Sequence, residues 1–361
     1  MMSYGTAFRV TVFGSSHGPE VGAVVEGVPK GWAVDLAAVQ RALDRRRPVG
    51  RRLATRRQEE DQLVVDHGIE SGIADGGPIR IHVANQDARP SDYERLRDTP
   101  RPGHADFPAR VRYGPDADLA GGGIFSGRMT VGLVAAGAIG AGLLAPLGIR
   151  VVGFVRSIGS EDADVPGTDA VEAIRLGAEA NEMGCPDPLA AERMESAILS
   201  ARRSGDSLGG IVEVRAAGVP VGLGEPFFDS IESAIAHLAF AVPAVKGVEF
   251  GDGFRSARLR GSENNDPYEL RDGHIVPRTN HAGGILGGLA DGAEVVARFA
   301  VKPTASIAIE QDTVNLRTLR PARIVVRGRH DPCIVPRAAP VLEAVVAIAL
   351  TDLALRGGYL G

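Results

Sequence analysis

Along the first part of the chain β-like runs, FRVTVF (8–13), VGAVVEGVP (21–29), DQLVVDHGI (61–69) and GPIRIHVAN (77–85), alternate with polar turns, which predicts strands. Between the second and third, DLAAVQRALDRRR sets Leu36, Val39 and Leu43 at helical spacing behind Asp35, a good capping residue, and must end before Pro48. The pattern then dissolves. Gln86 to Gly123 is polar and rich in proline and glycine, and predicts long loops around RPGHADF of the kind that serve a site. Met129 to Ile149, MTVGLVAAGAIGAGLLAPLGI, carries no charge over a length that would cross a bilayer. Its glycines, its alanine-rich make-up, Pro146 and the lack of a second such segment favour a helix apolar on every side, packed between the layers of a large protein.

Downstream, VVGFV reads as a strand, TDAVEAIRLGAEANEM and DPLAAERMESAILSARRSG as helices, GGIVEVRAAGVPV as a strand and DSIESAIAHLAF as a helix. GSENNDPYELRDGHIVPRTNHAGG reads as a long polar loop, AEVVARFAV as a strand and Pro340 to Leu355 as a final helix. No low-complexity linker or solenoid repeat interrupts the chain, so residues 1–361 are expected to form one large α/β or α+β domain.

A net charge of -5 and a pI near 5.9 argue against a dedicated nucleic-acid binder, which would offer phosphates a positive field. Two cysteines give neither a disulfide framework nor a thiolate metal site, and the opening MMSYGTAFRV lacks a signal core, so the cytoplasm is the expected compartment. Glycines cluster at GGG (121–123), GDGF (251–254) and GGILGG (283–288), where backbone can approach a ligand closely.

Gly14-Ser15-Ser16-His17-Gly18 matches the nucleophile-elbow pattern, but an elbow needs a following helix and VGAVVEGVP reads as another strand, which disfavours a serine hydrolase. Arg41, Arg45, Arg46, Arg47, Arg51, Arg52, Arg56 and Arg57 crowd one helix end and the loop after it. Half or more of such a run is ordinarily a solvated face, yet guanidinium pairs suit a small polyanion. RNA is the rival ligand, weakened by the 5% aromatic content. RPGHAD offers His104 between Arg101 and Asp106 as a candidate proton donor beside a bound phosphate. GRHDP would present Arg329 and Asp331 at a strand end, and VKPTASI alternates Lys302, Thr304 and Ser306 toward a common surface. Neither zinc-ligand spacing nor a GxGxxG dinucleotide fingerprint is present.

In this order the motifs resemble those of the chorismate synthase family. GSSHGPEVGAVVEGVP is similar to its first signature, GIFSGRMTVGLVAAGAI to its second and RHDPCIVPRAAPVLEAV to its third, while DRRRP, RPGHAD, AVKGVEFGDGF, NHAGGILGG and KPTAS also have equivalents. The resemblance implies an α+β fold, a β-α-β sandwich with helices between two antiparallel sheets, assembled as a homotetramer. It implies anti-1,4-elimination of phosphate from 5-enolpyruvylshikimate 3-phosphate to give chorismate, with reduced FMN required and either NADPH or an external flavin reductase as the source of reduction. A paralogue acting on a related phosphorylated cyclohexene carboxylate is the alternative.

The resemblance also implies roles. His104 would protonate the departing phosphate and His17 would serve the reduced flavin, with Ser16 and Asp331 assisting proton removal. Arg46, Arg52, Arg128 and Arg329 would hold the anionic substrate. Ser126, Ala244, Gly287, Lys302, Pro303, Thr304, Ala305, Ser306 and Arg329 would line the flavin. The chain departs from the family at Ile124, Phe125 and Met129, where arginine, serine and glutamate are usual, at Ala74 and Asp75 in place of two threonines, and in the turn Arg47 to Gly50.

Overall fold

The computed structural model describes residues 2–47, 60–86, 98–114, 120–167, 170–326 and 331–360. The first sheet takes β1 (Ser3–Tyr4), β2 (Arg9–Gly14), β3 (Glu20–Glu26), β4 (Val64–His67) and β7 (Ile79–Ala84), with the small hairpin of β5 (Ile69–Glu70) and β6 (Ile73–Ala74) beside it. The second takes β8 (Arg150–Ile158), β9 (Glu161–Asp162), β10 (Gly210–Ala217), β11 (Val245–Phe250) and β16 (Val295–Val301). Their orders are β1-β2-β3-β7-β4 and β11-β16-β10-β8-β9, and every pairing is antiparallel. Three hairpins lie outside them: β12 (Tyr268–Arg271) with β13 (His274–Pro277), β14 (Ile285–Leu286) with β15 (Leu289–Ala290), and β17 (Gln311–Asn315) with β18 (Arg320–Ile324).

The helices are α1 (Leu36–Arg46), α2 (Asp106–Tyr113), α3 (Thr130–Leu144), α4 (Val171–Glu179), α5 (Pro188–Arg203), α6 (Ile231–Ala239), the short α7 (Gly261–Asn264) and α8 (Val335–Arg356). Helices α3 and α8 pack on each other between the sheets, α3 against β2, β3 and β7 and α8 against β8, β10 and β16, so the architecture is the α+β sandwich that the motifs imply. Glycine permits that closeness. A Cβ at Gly132 would sit 2.5 Å from the Gly22 carbonyl oxygen of the first sheet, and one at Gly137 would sit 2.4 Å from the Ala344 Cβ of α8. Buried Asp352 of α8 accepts the backbone N–H groups of Thr6, Ala7 and Phe8 at 2.7–2.8 Å, which ties the chain's first turn to the central layer.

Several expectations need correction. Among the described residues two helices, not one, are long and apolar enough to cross a membrane: 67% of the α3 window and 83% of the α8 window are buried inside the protein. Scattered charges such as Glu343 and Asp352 disguise α8 in the sequence. The final helix starts at Val335 rather than Pro340, because the N–H that Pro340 lacks would bond only to Pro336, in the first turn. The polar stretch 261–284 contains the β12–β13 hairpin, turned by Asp272 and Gly273 at φ 52° and 81°. Helix α2 starts inside the predicted RPGHADF loop.

Candidate active site

The turn Gly14 to Gly18 joins two paired antiparallel strands, with Phe13 opposite Gly22 and Gly14 opposite Val21. No helix follows Ser16, so the nucleophile elbow is excluded by geometry. Ser16 is buried, and its backbone N–H donates to the Gly123 carbonyl at 3.4 Å, which docks the turn on the triple-glycine segment. All three glycines there have positive φ, at 58°, 91° and 51°.

That segment separates the two histidines. A Cβ on Gly121 would fall 2.0 Å from Cε1 of His17, and one on Gly122 would lie 3.6 Å from Nε2 of His104 and 3.6 Å from the Ser126 Cβ. His17, His104 and Ser126 are therefore brought together around three residues without side chains. His104 is held by its own loop: its Nδ1 is 2.6 Å from Asp106 Oδ1. Asp106 is gripped by Arg101 through Nε at 2.7 Å and Nη2 at 2.8 Å. Burial pushes the Asp106 carboxyl up, but hydrogen bonds from Arg101 and His104 more than offset this and hold it well below the usual range. Arg101 Nη1 reaches Ser306 Oγ at 3.1 Å, and Lys302 Nζ donates to the Gly103 carbonyl, so RPGHAD is docked on KPTAS.

The KPTAS segment follows β16. Lys302 N–H donates to the carbonyl of Ala244, a residue held at φ 75°, and Ser207 Oγ donates to the Thr304 carbonyl. Leu208 N–H in turn donates to the Pro332 carbonyl, next to Asp331. Asp331 pairs with Arg337 Nη1 at 2.6 Å, and Arg337 Nε donates to the Arg46 carbonyl at the end of α1.

Arg46 and Arg128 share one buried counter-ion, Asp61. Arg46 Nη2 is 2.9 Å from Asp61 Oδ2, and Arg128 Nη1 pairs with Oδ1. Burial pushes the Arg46 guanidinium down to about 10 against the pull of Asp61, so it remains charged at neutral pH. Burial raises the Asp61 carboxyl, but Arg46 and Arg128 outweigh it and the net shift is downward. Asp61 is held at φ 46°, a left-handed conformation uncommon outside glycine. Arg128 Nε donates to Asn85 Oδ1 at 2.8 Å, and Asn85 Nδ2 donates to the carbonyls of Ser15 and Gly18. The circuit thus closes on the turn where it began, and the loops 14–18, 101–106, 121–128, 302–306 and 331–337 surround one place.

Arg52 and Arg329 lie outside the described residues, as do Arg51, Arg56, Arg57 and His330. Of the rest of the arginine run, Arg41 meets Asp35 on the surface, Arg45 grips Glu343 at 2.6 and 3.0 Å, and Arg47 meets Asp44. The hairpin of Gly287 packs near the start of α6, through Ile231 N–H to the Gly288 carbonyl, and no backbone hydrogen bond among the described residues joins it to 302–306. Pro303 and Ala305 lie within the docked segment, Ala305 3.7 Å from the place of a Cβ on Gly103. Asp61, Asn85 and Arg337 were not singled out from the sequence, since a charge at the end of an ordinary polar run gives no sign that it will be buried.

Two observations bear on a flavin. Thr304 Oγ1 is buried with no partner among the described residues, and the Gly122 position leaves room that a side chain would take. A buried, unmet hydroxyl fits a polar group, and the open Gly122 position fits a planar one. Arg46 Nε is likewise buried and without a partner among the described residues, which fits an anion. A cavity of about 1020 Å³ lies elsewhere, lined by Trp32, Ala38, Ala138, Gly142 and Ala344 between α1, α3 and α8.

A sequence profile of the family described as chorismate synthase matches residues 8–355. The chain belongs to the chorismate synthase family. The chorismate synthase of Dehalococcoides mccartyi is 46% identical over 358 residues, covering 99% of this chain and 98% of that one. That of Aeropyrum pernix is 49% identical over 353 residues, covering 98% and 92%. A crystal structure of chorismate synthase superposes with a TM-score of 0.77 at 28% identity, covering 98% of this chain and 93% of its own. Against this family the departures are placed as follows: Met129 joins the buried core, Ile124 is exposed, and Phe125 packs on Tyr113 with ring centroids 6.1 Å apart.

Proposed function

We propose that the chain catalyses the anti-1,4-elimination of phosphate from 5-enolpyruvylshikimate 3-phosphate to give chorismate, the shikimate-pathway step toward aromatic amino acids. The enzyme is a carbon–oxygen lyase. One C–H and one C–O bond break, a conjugated double bond forms, and phosphate departs with no net redox change. The observation that carries the reading is the placement of His17 and His104 on one glycine turn, inside a circuit that also holds Arg46, Arg128 and Asp331.

Arg46 and Arg128, with Arg52 and Arg329, bind the phosphate and carboxylates of the substrate through guanidinium pairs. His104 gives a proton from Nε2 to the phosphate oxygen as the C–O bond breaks. Ser16 and Asp331 carry away the proton released from carbon, and His17 holds a proton beside the cofactor. Ser126, Ala244 and Lys302 to Ser306 would hold reduced FMN, which would supply electron density to ease departure of phosphate. Reduction comes from NADPH or from an external reductase. The buried, unpaired Cys185 and Cys333 suit the cytoplasm, and the exposed Phe227, Phe228 and Phe254 suit burial in a homotetramer.

The reading is tested anaerobically with photoreduced FMN and the phosphorylated enolpyruvyl substrate, and equal amounts of chorismate and inorganic phosphate are expected. Bound flavin without chorismate would overturn it in favour of the related phosphorylated cyclohexene carboxylate. The relatives at 46–49% identity, matched over nearly their whole length, do not favour that alternative.

A further inference from the structure

The loop Arg101–Asp106 is built more tightly than a histidine in a solvated turn would need. Arg101 and His104 close a turn through the His104 N–H to the Arg101 carbonyl at 3.3 Å, with Gly103 at φ 71°. Ala105 then caps α2, so the chain reverses between His104 and Asp106 and their side chains meet instead of pointing apart. Asp106 Oδ1 takes His104 Nδ1 at 2.6 Å and Arg101 Nη2 at 2.8 Å. Its Oδ2 takes Arg101 Nε at 2.7 Å and the Arg101 backbone N–H at 3.0 Å. Only 12% of the Asp106 side chain and 5% of the Arg101 side chain are exposed.

We propose that Asp106 is a positioning residue that fixes the tautomer and ring orientation of His104, with Nδ1–H on the carboxylate and Nε2 turned toward the Gly121–Gly123 turn, while Arg101 keeps that carboxylate in place. The inference rests on the reading of His104 as the proton donor to phosphate.

An ionised carboxylate accepts and cannot donate, so the ring nitrogen against it must carry hydrogen. That leaves Nε2 as the nitrogen that exchanges a proton with the substrate, 3.6 Å from where a Gly122 Cβ would be. Asp106 and Arg101 contact the ring from its own loop, Lys302 of the docked segment meets the neighbouring Gly103 carbonyl, and His17 lies across the glycine turn. Arg101 Nη2 lies 3.0 Å from Nδ1 and 3.2 Å from Nε2, so a free ring would be drawn to accept from the guanidinium at either nitrogen. Asp106 removes that choice.

The experiment compares Asp106→Asn and Asp106→Glu with His104→Ala in the full-length enzyme with reduced FMN. NMR of isotope-labelled histidine reads the tautomer. In the unaltered protein the neutral His104 ring is expected to carry its hydrogen on Nδ1, and Nε2 gains the second proton in the acid form that serves the phosphate. Asp106→Asn, whose amide can donate as well as accept, is expected to yield mixed tautomers and to lower kcat about tenfold or more with KM little changed. Asp106→Glu keeps the charge and restores the Nδ1 tautomer. A His104 tautomer unmoved by Asp106→Asn overturns the proposal, and so does full kcat in Asp106→Asn when His104→Ala is inactive. Full turnover in His104→Ala would overturn the underlying acid assignment instead, and the tautomer measurement decides the role of Asp106 independently of it.

Discussion

Helix α3 runs for 15 residues without a charged side chain, whereas the loops that reach its N-terminus bury Arg46, Arg101, Arg128 and Asp61. The first region is held by volume: small residues let α3 and α8 approach, and any atom of about the right size would serve. The second is held by charge balance, where each guanidinium has a named partner and removal of one partner strands the other. Stability and function should therefore separate between the two regions, and substitutions can test this.

The largest effect is expected at Asp61. Asp61→Ala leaves Arg46 and Arg128 buried without their shared counter-ion, and should cost about 3–5 kcal/mol of folding stability. Urea unfolding of the flavin-free protein measures it, and a loss under about 1 kcal/mol would mean that water or another group already balances the pair. The same charges give a pH signature. Asp61 and Asp106 are held below the ordinary aspartate value of 3.8, so as pH falls past it the unfolded chain takes up protons first. Their stabilisation is complete above about pH 4 and drains away below, and Asp61→Asn should flatten part of that acid slope.

Next comes His104→Ala, expected to lower kcat about a hundredfold or more while leaving the urea midpoint nearly unchanged. This is the counterpart of Asp61→Ala, since it removes the proton donor while Arg101 still balances the Asp106 carboxylate. A variant that loses activity only by unfolding would merge the two regions and remove the distinction.

The two regions also differed in how far the sequence revealed them. Period and capping residues were enough for α1, whose Asp35 side chain accepts the Ala38 N–H at 2.9 Å, and for β2, β3, β7 and β16. They missed β12–β13 and β17, and caught only the end of β18 in RIVV, because solvated hairpins bury too little to show an apolar rhythm, although Asp272-Gly273 was a usable turn signal. In the site, motifs named His17, His104, Arg46 and Arg128, but no pattern announces that Asp61 meets residues 15 and 67 positions away in sequence. Pairing of that kind depends on the sandwich closing. Asp106 was visible as a neighbour of His104, and only the start of α2 between them turns that nearness into contact.

A smaller effect is expected in the core. Gly137→Val would place Cβ 2.4 Å from the Ala344 Cβ and 2.5 Å from its Cα, so α3 and α8 must separate. Overpacking of this kind costs about 1–3 kcal/mol, and turnover per folded molecule should be preserved. Loss of turnover in the still-folded variant would show that the spacing of the central layer reaches the site through Arg337 at the start of α8.

The smallest effect belongs to Arg41, which shares a helix with Arg45 and Arg46 and differs from them only in where it points. Its guanidinium meets Asp35 at 3.4 Å with both side chains about two-thirds exposed. An ion pair so open to water contributes about 0–1 kcal/mol, so Arg41→Ala should hardly move the urea midpoint and should leave kcat and KM alone. Arg46→Ala, five positions on, removes a buried partner of Asp61 and should raise KM for the phosphorylated substrate sharply. If Arg41→Ala raised KM as much as Arg46→Ala, the arginine run would be acting as a diffuse positive field on the substrate, and burial beside Asp61 would not be what distinguishes its members.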